Sequence, residues 1–259
     1  MRIVRVQYQQ KTFYAALLDE AVQPLNKDLG LDTHIPLQEI TLLAPVMPTK
    51  VVCIALNYHS HAQEMGMSVP QQPVIFFKPP SAVISTGQPI ILPSQSKEVH
   101  FEAELAVIMG KTSRNISPSE VAGHIFGYSC ANDVTARDLQ QTDGLYGRAK
   151  GFDTFLPIGP WIETEVEDPN NLTLKTTVNE ELLQEGNTKD MIFPPAELIS
   201  YISQIMTLFP GDVVLTGTPP GVGPLHSGDE VRILIDQVGV LINPVLSQTD
   251  ISEQKATIQ

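Results

Sequence analysis

The chain has 259 residues, 42% hydrophobic and 17% charged, which is enough apolar material for one large domain or one domain with a small appendage. Its formal net charge of −13 argues against nucleic acid, and against an anionic membrane surface, as the main partner. A small anionic substrate stays open, because one cation and a few local Lys or Arg residues can dominate a single pocket.

The N-terminus, MRIVRVQYQQ, carries two arginines but no apolar h-region, and no apolar run approaches the length of a membrane span. In chain order, MRIVRVQ alternates like a strand and KTFYAALLDEAVQPL reads as a hairpin. A small β-rich N-terminal domain is expected over residues 1–47, ending at the prolines of TLLAPVMP. KVVCIALN is then a nearly continuous apolar run of buried-strand type, ended by Asn57. NYHSHAQEMG is of mixed polarity and fits a turn or two of helix, while PVIFFKP and QPIILP read as strands. Cys53 and Cys130 both lie in apolar stretches and read as buried free thiols of a reducing compartment, so a cytoplasmic protein is expected.

SPSEVAGHIFGY predicts a short helix, with Ser117 as cap, Pro118 in the first turn and Glu120 completing a capping box. PPAELISYISQIMTLFPG predicts the clearest helix. Leu198, Ile199, Ile202, Ile205, Met206 and Phe209 form its apolar stripe, and Pro210-Gly211 is its expected stop. From DVVLTG to INPVL the chain is strand and turn, followed by a polar tail over residues 247–259. Strands outnumber helices without alternating regularly with them. That predicts a β-rich α+β fold over residues 48–246 rather than a doubly wound sheet.

The strongest chemical pattern is KEVHFEAELAVIMGK. At period two, Val99, Phe101, Ala103, Leu105, Val107 and Met109 form an apolar face, while His100, Glu102 and Glu104 share the opposite one with Ala106 and Ile108. Same-face neighbours on a strand stand roughly 6.5–7 Å apart. If the two carboxylates are buried, one must be protonated or a cation must sit between them, and hard oxygen ligands favour Mg²⁺, Mn²⁺ or Ca²⁺ over zinc. An ordinary half-buried strand shows the same alternation with the glutamates as surface charges, and the strand pattern alone leaves both readings open. FGYSCANDVTARDLQ runs from an apolar strand into polar residues with Asp133 at the junction, where Thr135 could cap a short TARDLQ helix.

Taken in order, NYHSHAQEM, FFKP, HFEAEL, ANDVTARDLQ, AKGFDTF and LTGTPPGVGP resemble the pattern of the fumarylacetoacetate hydrolase family. The resemblance spans roughly residues 50–245 and falls closest to the branch of acylpyruvate hydrolases, oxaloacetate decarboxylases and hydroxyheptadienedioate isomerases. It implies a mixed β-roll or sandwich with peripheral helices, paired as a homodimer. It also implies one Mg²⁺ or Mn²⁺ held by Glu102, Glu104 and Asp133, with a small 2-oxo acid as substrate. Under this resemblance His61 and Glu64 match the pair that activates the hydrolytic water. Their spacing of three places them on one face of a helical turn, where a carboxylate raises an imidazole's basicity. His59, five residues before Glu64, is the less favoured competitor.

Lys150 matches the family's active-site lysine, suited to neutralising a developing oxyanion. Lys78, Arg137, Gln140 and Thr218 are carried as substrate-binding residues. LTGTPPGVGP lacks the ending of a P-loop, but its glycines let backbone approach a ligand. The expected reaction is C–C bond hydrolysis of an acylpyruvate, with oxaloacetate decarboxylation alongside it. The alternatives are isomerisation or decarboxylation of 2-hydroxyhepta-2,4-diene-1,7-dioate, and a silent homologue that only binds a metal and an oxo acid. Substrate choice is expected to rest on Met65–Gln72 and on Gln140–Gly147, with GMSVPQQP a candidate mobile lid carrying the His61 segment.

Overall fold

A computed structural model describes residues 1–64 and 66–250, so Met65 of the expected specificity segment and residues 251–259 of the tail lie outside the described residues. The expected β-rich α+β fold is what forms. Lys11–Leu17 pairs with Ala21–Pro24 as the N-terminal hairpin, and Arg2–Tyr8 lines up against Lys11–Leu17. Arg2–Tyr8 also pairs with Leu156–Glu163, through Ile3 opposite Ile162, so the N-terminal strands extend a sheet begun by the rest of the chain. They keep an apolar cluster of their own, formed by Val4, Val6, Phe13, Ala15, Val22 and Ile35.

Among the described residues the largest sheet has twelve strands, with Ala103–Met109 near its middle, between Ile125–Asn132 and Val213–Leu215. A five-stranded sheet containing Thr173–Val178, Glu230–Ile235 and Gly239–Ser247 stacks on one face. Leu105, Val107 and Cys130 meet Leu174, Ile233 and Ile235 there, together with Leu198, Ile199 and Ile202 of the helix Pro195–Ile205. On the other face Ala106 and Ile108 join a second core with Val51, Cys53, Phe76, Leu156 and Leu215. Every residue of Ala103–Met109 is buried. The strand lies between two cores, which rules out the reading of its second face as solvated.

Three local expectations are corrected. The strand pattern from Val99 to Met109 is not continuous. Val99–Phe101 belongs to a three-stranded sheet with Thr135–Ala136 and Gly223–Pro224, Ala103–Met109 belongs to the large sheet, and Glu102 stands at the change. Ser117 does close on Glu120, its N–H and Oγ donating to the carboxylate at 2.8 and 2.7 Å. Only the 3-10 turn Val121–Gly123 follows, because Ile125–Asn132 is taken up by pairing with Ala103–Met109. The long helix ends at Ile205, ahead of Pro210, since Leu208 exchanges backbone hydrogen bonds with Ser113. Ile205 and Phe209, expected on the apolar stripe, are exposed. No helix among the described residues is long and apolar enough to cross a membrane, and both cysteines are buried and free.

Candidate active site

The site is built where the chain changes sheets. Glu102 N–H donates to Asn132 Oδ1 (2.9 Å), Asp133 N–H to the Glu102 carbonyl (2.9 Å), and Ala103 N–H to Gln184 Oε1 (3.2 Å). These bonds replace the ladder that a continuous strand would have made, and they turn Glu102 toward Asp133 just beyond the end of Ile125–Asn132. Glu102, Glu104 and Asp133 are buried, and one carboxylate oxygen from each lies within 4.8 Å of the others.

Cations approach this group from two sides. Lys150 Nζ lies 2.9 Å from Glu102 Oε2 and 2.6 Å from Asp133 Oδ2. Arg137 pairs with Glu102 Oε1 and donates to Gln140 Oε1 at 2.8 Å. Lys78 is buried beneath Asp133, 2.7 Å from its Oδ1, and donates to the Val134 carbonyl at 3.0 Å. Thr135 caps no helix. Its hydroxyl lies 2.8 Å from the Asp133 carbonyl and 3.3 Å from Glu102 Oε1, and the helix Arg137–Asp143 begins without a side-chain cap.

The carboxylates differ electrostatically. Burial pushes Glu102 up, but Lys150 and Arg137 outweigh it and hold the group at about 2. Burial, then Asp133 and Glu102, push Glu104 well above the usual carboxylate range. Among the described residues Glu104 has no ion-pair partner and accepts only the Gly217 N–H, at 2.6 Å. Burial depresses Lys150, but Asp133 and Glu102 prevail and raise it above its ordinary value. Lys78 is lowered by burial, with Asp133 opposing. Asp133 Oδ1 is within ion-pair reach of Lys78 yet has no donor aligned on it. Three buried carboxylates converging on one point, with Asp133 Oδ1 lacking an aligned donor, fit a hard divalent cation.

Facing them is the short helix His59–Glu64. His61 is buried and His59 exposed, and His61 Nδ1 lies 2.8 Å from Glu64 Oε2. The other Glu64 oxygen accepts the Gly221 N–H at 3.1 Å. Asn57 anchors the segment before this helix, donating to the Phe193 and Thr216 carbonyls at 2.9 and 2.8 Å. His61, Glu102, Arg137, Gln140, Tyr146 and Lys150 line one cavity of about 50 Å³. A larger hollow of about 740 Å³ lies along Ile3, Phe13, Met109 and Phe126, but its walls carry no carboxylate, histidine or lysine. The small cavity, where charged groups converge, is the candidate site.

Sequence reasoning missed four contributors: Asn132, Tyr146, Gln184 and the Gly217 N–H. Asn132 stands beside Asp133 and was within reach of the motif. Tyr146, stacked on Phe76 with ring centroids 4.6 Å apart, lies inside the expected specificity segment. Gln184 sits in the polar strand Glu181–Asn187, where nothing in the sequence marks it as buried.

Residues 50–246 match the family described as Fumarylacetoacetate (FAA) hydrolase C-terminal, and residues 1–45 match Rv2993c-like, N-terminal. The chain is 45% identical over 225 residues to the oxaloacetate tautomerase Fahd2a, mitochondrial, of Rattus norvegicus, covering 82% of this chain and 71% of that protein. The solved 5-carboxymethyl-2-hydroxymuconate delta-isomerase from Mycobacterium smegmatis superposes with a TM-score of 0.88 at 40% identity, covering 96% of this chain and 99% of that one. The maleylpyruvate hydrolase from Sphingobium sp. SYK-6, solved in complex with manganese (II) ion and pyruvate, gives a TM-score of 0.81 at 33% identity, covering 95% and 99%.

Proposed function

Because the chain belongs to the fumarylacetoacetate hydrolase family, we propose that it is a metal-dependent enzyme that hydrolyses a C–C bond in a small acylpyruvate, of the acetylpyruvate or fumarylpyruvate type. The observation that carries this reading is one cavity lined by His61, Glu102 and Lys150, with Glu104 and Asp133 clustered on Glu102 and Glu64 paired to His61. It is supported by a structural neighbour that holds manganese and pyruvate.

Glu102, Glu104 and Asp133 would hold Mg²⁺ or Mn²⁺, which when bound supplies a Lewis acid that orients the 2-oxo acid and draws charge from the breaking bond. His61, its Nδ1 turned to Glu64, keeps Nε2 to take a proton from the water that attacks the acyl carbonyl. Glu64, held by the Gly221 N–H, fixes the ring and stabilises its charged form. Lys150 places a positive charge beside the oxygen where charge develops. Arg137, Gln140 and Thr218 receive the substrate's carboxylate, while Lys78 acts through Asp133 from behind.

Purified protein with Mg²⁺ or Mn²⁺ is expected to release pyruvate from acetylpyruvate or fumarylpyruvate. Glu102→Ala should abolish that release, and its retention would refute the metal assignment. A second reading, keto–enol tautomerisation of oxaloacetate, is favoured by the 45% identity to the rat tautomerase. His61 would then move a proton at C3 and no water would be needed. Absence of pyruvate together with faster decay of the oxaloacetate enol absorbance selects this second reading. The proposal includes a homodimer in a reducing cytoplasm; sedimentation at the mass of one chain would remove the dimer.

A further inference from the structure

We infer that Gln184 is a positioning residue that sets the Thr218 hydroxyl as a hydrogen-bond donor to substrate, an inference that rests on the proposed function. Gln184 is the one buried residue within the strand Glu181–Asn187, at 1% exposure. Its amide is fully used. Oε1 accepts from Ala103 N–H (3.2 Å) and Thr176 Oγ1 (2.9 Å), and Nε2 donates to Thr218 Oγ1 and to the Pro219 carbonyl, both at 2.8 Å.

Two of these partners allow only one orientation of the amide. A backbone N–H can only donate and a proline carbonyl can only accept, so the amide oxygen must face Ala103 and the nitrogen Pro219. An N–H then points at Thr218 Oγ1, and that oxygen must accept. The hydroxyl still carries its own proton, for which no acceptor exists among the described residues, although Thr218 is 4% exposed. A buried, unpaired donor is costly unless a ligand completes it.

The position of Thr218 gives that proton its use. Gly217 N–H holds Glu104, and Gly221 N–H holds Glu64, so Thr218 lies on a loop tied at both ends to the candidate site. The loop has little slack against the Gln184 strand. A Cβ on Gly186 would stand 2.4 Å from Pro219 Cβ, and one on Gly221 would stand 2.8 Å from the Leu183 carbonyl. The group that completes the hydroxyl is an acceptor, a carboxylate or keto oxygen. A ligand presenting an N–H₂ at this place is refused, because two donors would meet.

The test is a double-mutant cycle with Gln184→Met and Thr218→Val. Oxalate binding to the Mg²⁺-loaded proteins is measured by calorimetry, and the unfolding midpoints of the metal-free proteins are measured in parallel. Each single variant should bind oxalate about tenfold more weakly, the worth of one hydrogen bond to a charged group. The double variant should bind no more weakly than Thr218→Val, because Gln184 acts through that hydroxyl. If Gln184→Met fails to fold, Gln184→Glu keeps the acceptor for Ala103 but turns the threonine proton toward itself, and should weaken oxalate as much. Losses that multiply in the double variant, or full oxalate affinity in a folded Gln184 variant, overturn this inference alone. Wild-type protein that binds no oxalate overturns the functional reading, and this inference with it.

Discussion

Lys150 is the cation that bridges Glu102 and Asp133, which otherwise keep only Arg137 and Lys78 respectively. Its ammonium is buried, and its two short contacts reach Glu102 and Asp133. Lys150→Met should therefore destabilise the metal-free protein by about 3 kcal/mol or more, the cost of stranding buried charge. Divalent cation should restore part of the loss by supplying charge at the same oxygens, as read from urea unfolding with and without Mg²⁺. Equal losses in both conditions would mean that no cation enters the carboxylate group. Glu104→Gln is the complementary change. It keeps the acceptor for Gly217 N–H but removes a carboxylate that no lysine or arginine contacts among the described residues. The variant should fold and lose measurable divalent-cation affinity, and calorimetric retention of that affinity would exclude Glu104 as a ligand.

At the scale of elements, a single carboxylate joins the two parallel strands beside the site. Asp212, buried just before Val213–Leu215, accepts from Phe209 N–H (2.7 Å), Thr49 N–H (3.1 Å), Thr49 Oγ1 (2.6 Å) and Lys50 N–H (3.2 Å), and pairs with the Lys50 ammonium. Val51–Ile54 starts one residue later and runs parallel to Val213–Leu215 from Val51 opposite Val213. Burial pushes the Asp212 carboxyl up, but hydrogen bonds from Lys50 and Thr49 prevail and hold it below its ordinary 3.8. A depressed native value means that the unfolded chain binds the proton more readily. The stabilisation is thus complete above the unfolded value and is lost as pH falls through the native one. Asp212→Asn should cost about 2 kcal/mol at neutral pH, and the gap to wild type should narrow in acid. A gap independent of pH in urea titrations would place the effect in shape rather than charge.

Across the whole molecule, the central sheet depends on how closely its neighbouring strands approach. Gly127 faces Glu163 across the irregular pairing of Ile125–Asn132 with Leu156–Glu163, and a Cβ there would come within 2.5 Å of the Glu163 carbonyl oxygen and 2.6 Å of Ile162 Cγ2. Gly127→Ala should lower stability by about 2 kcal/mol through backbone displacement. The disturbance should spread to Arg2–Tyr8, whose Arg2 and Ile3 pair with Glu163 and Ile162. Amide exchange in Arg2–Tyr8 faster than wild type would show this, and unchanged protection would confine the strain to Gly127.

Much of this was legible in the sequence because it depends on local order along the chain. Alternation located the strands, the three-residue step from His61 to Glu64 placed both on one helical turn, and the order of the motifs carried the family. The expected capping helix at Ser117 went the other way, because pairing with Ala103–Met109 claimed the residues that followed. By itself the sequence singled out Glu102, Glu104, Asp133, His61 and Glu64 as the candidates for the chemistry. Only the tertiary structure decided that Glu102 and Glu104 are buried, since a period of two is the same whether the second face meets water or another core. It alone decided that Lys150 and Arg137 neutralise Glu102 while Glu104 has no ion-pair partner among the described residues, and that Gln184, unremarkable in a polar strand, lies inside. Those outcomes depend on distances between segments far apart in the chain, which no local spacing encodes.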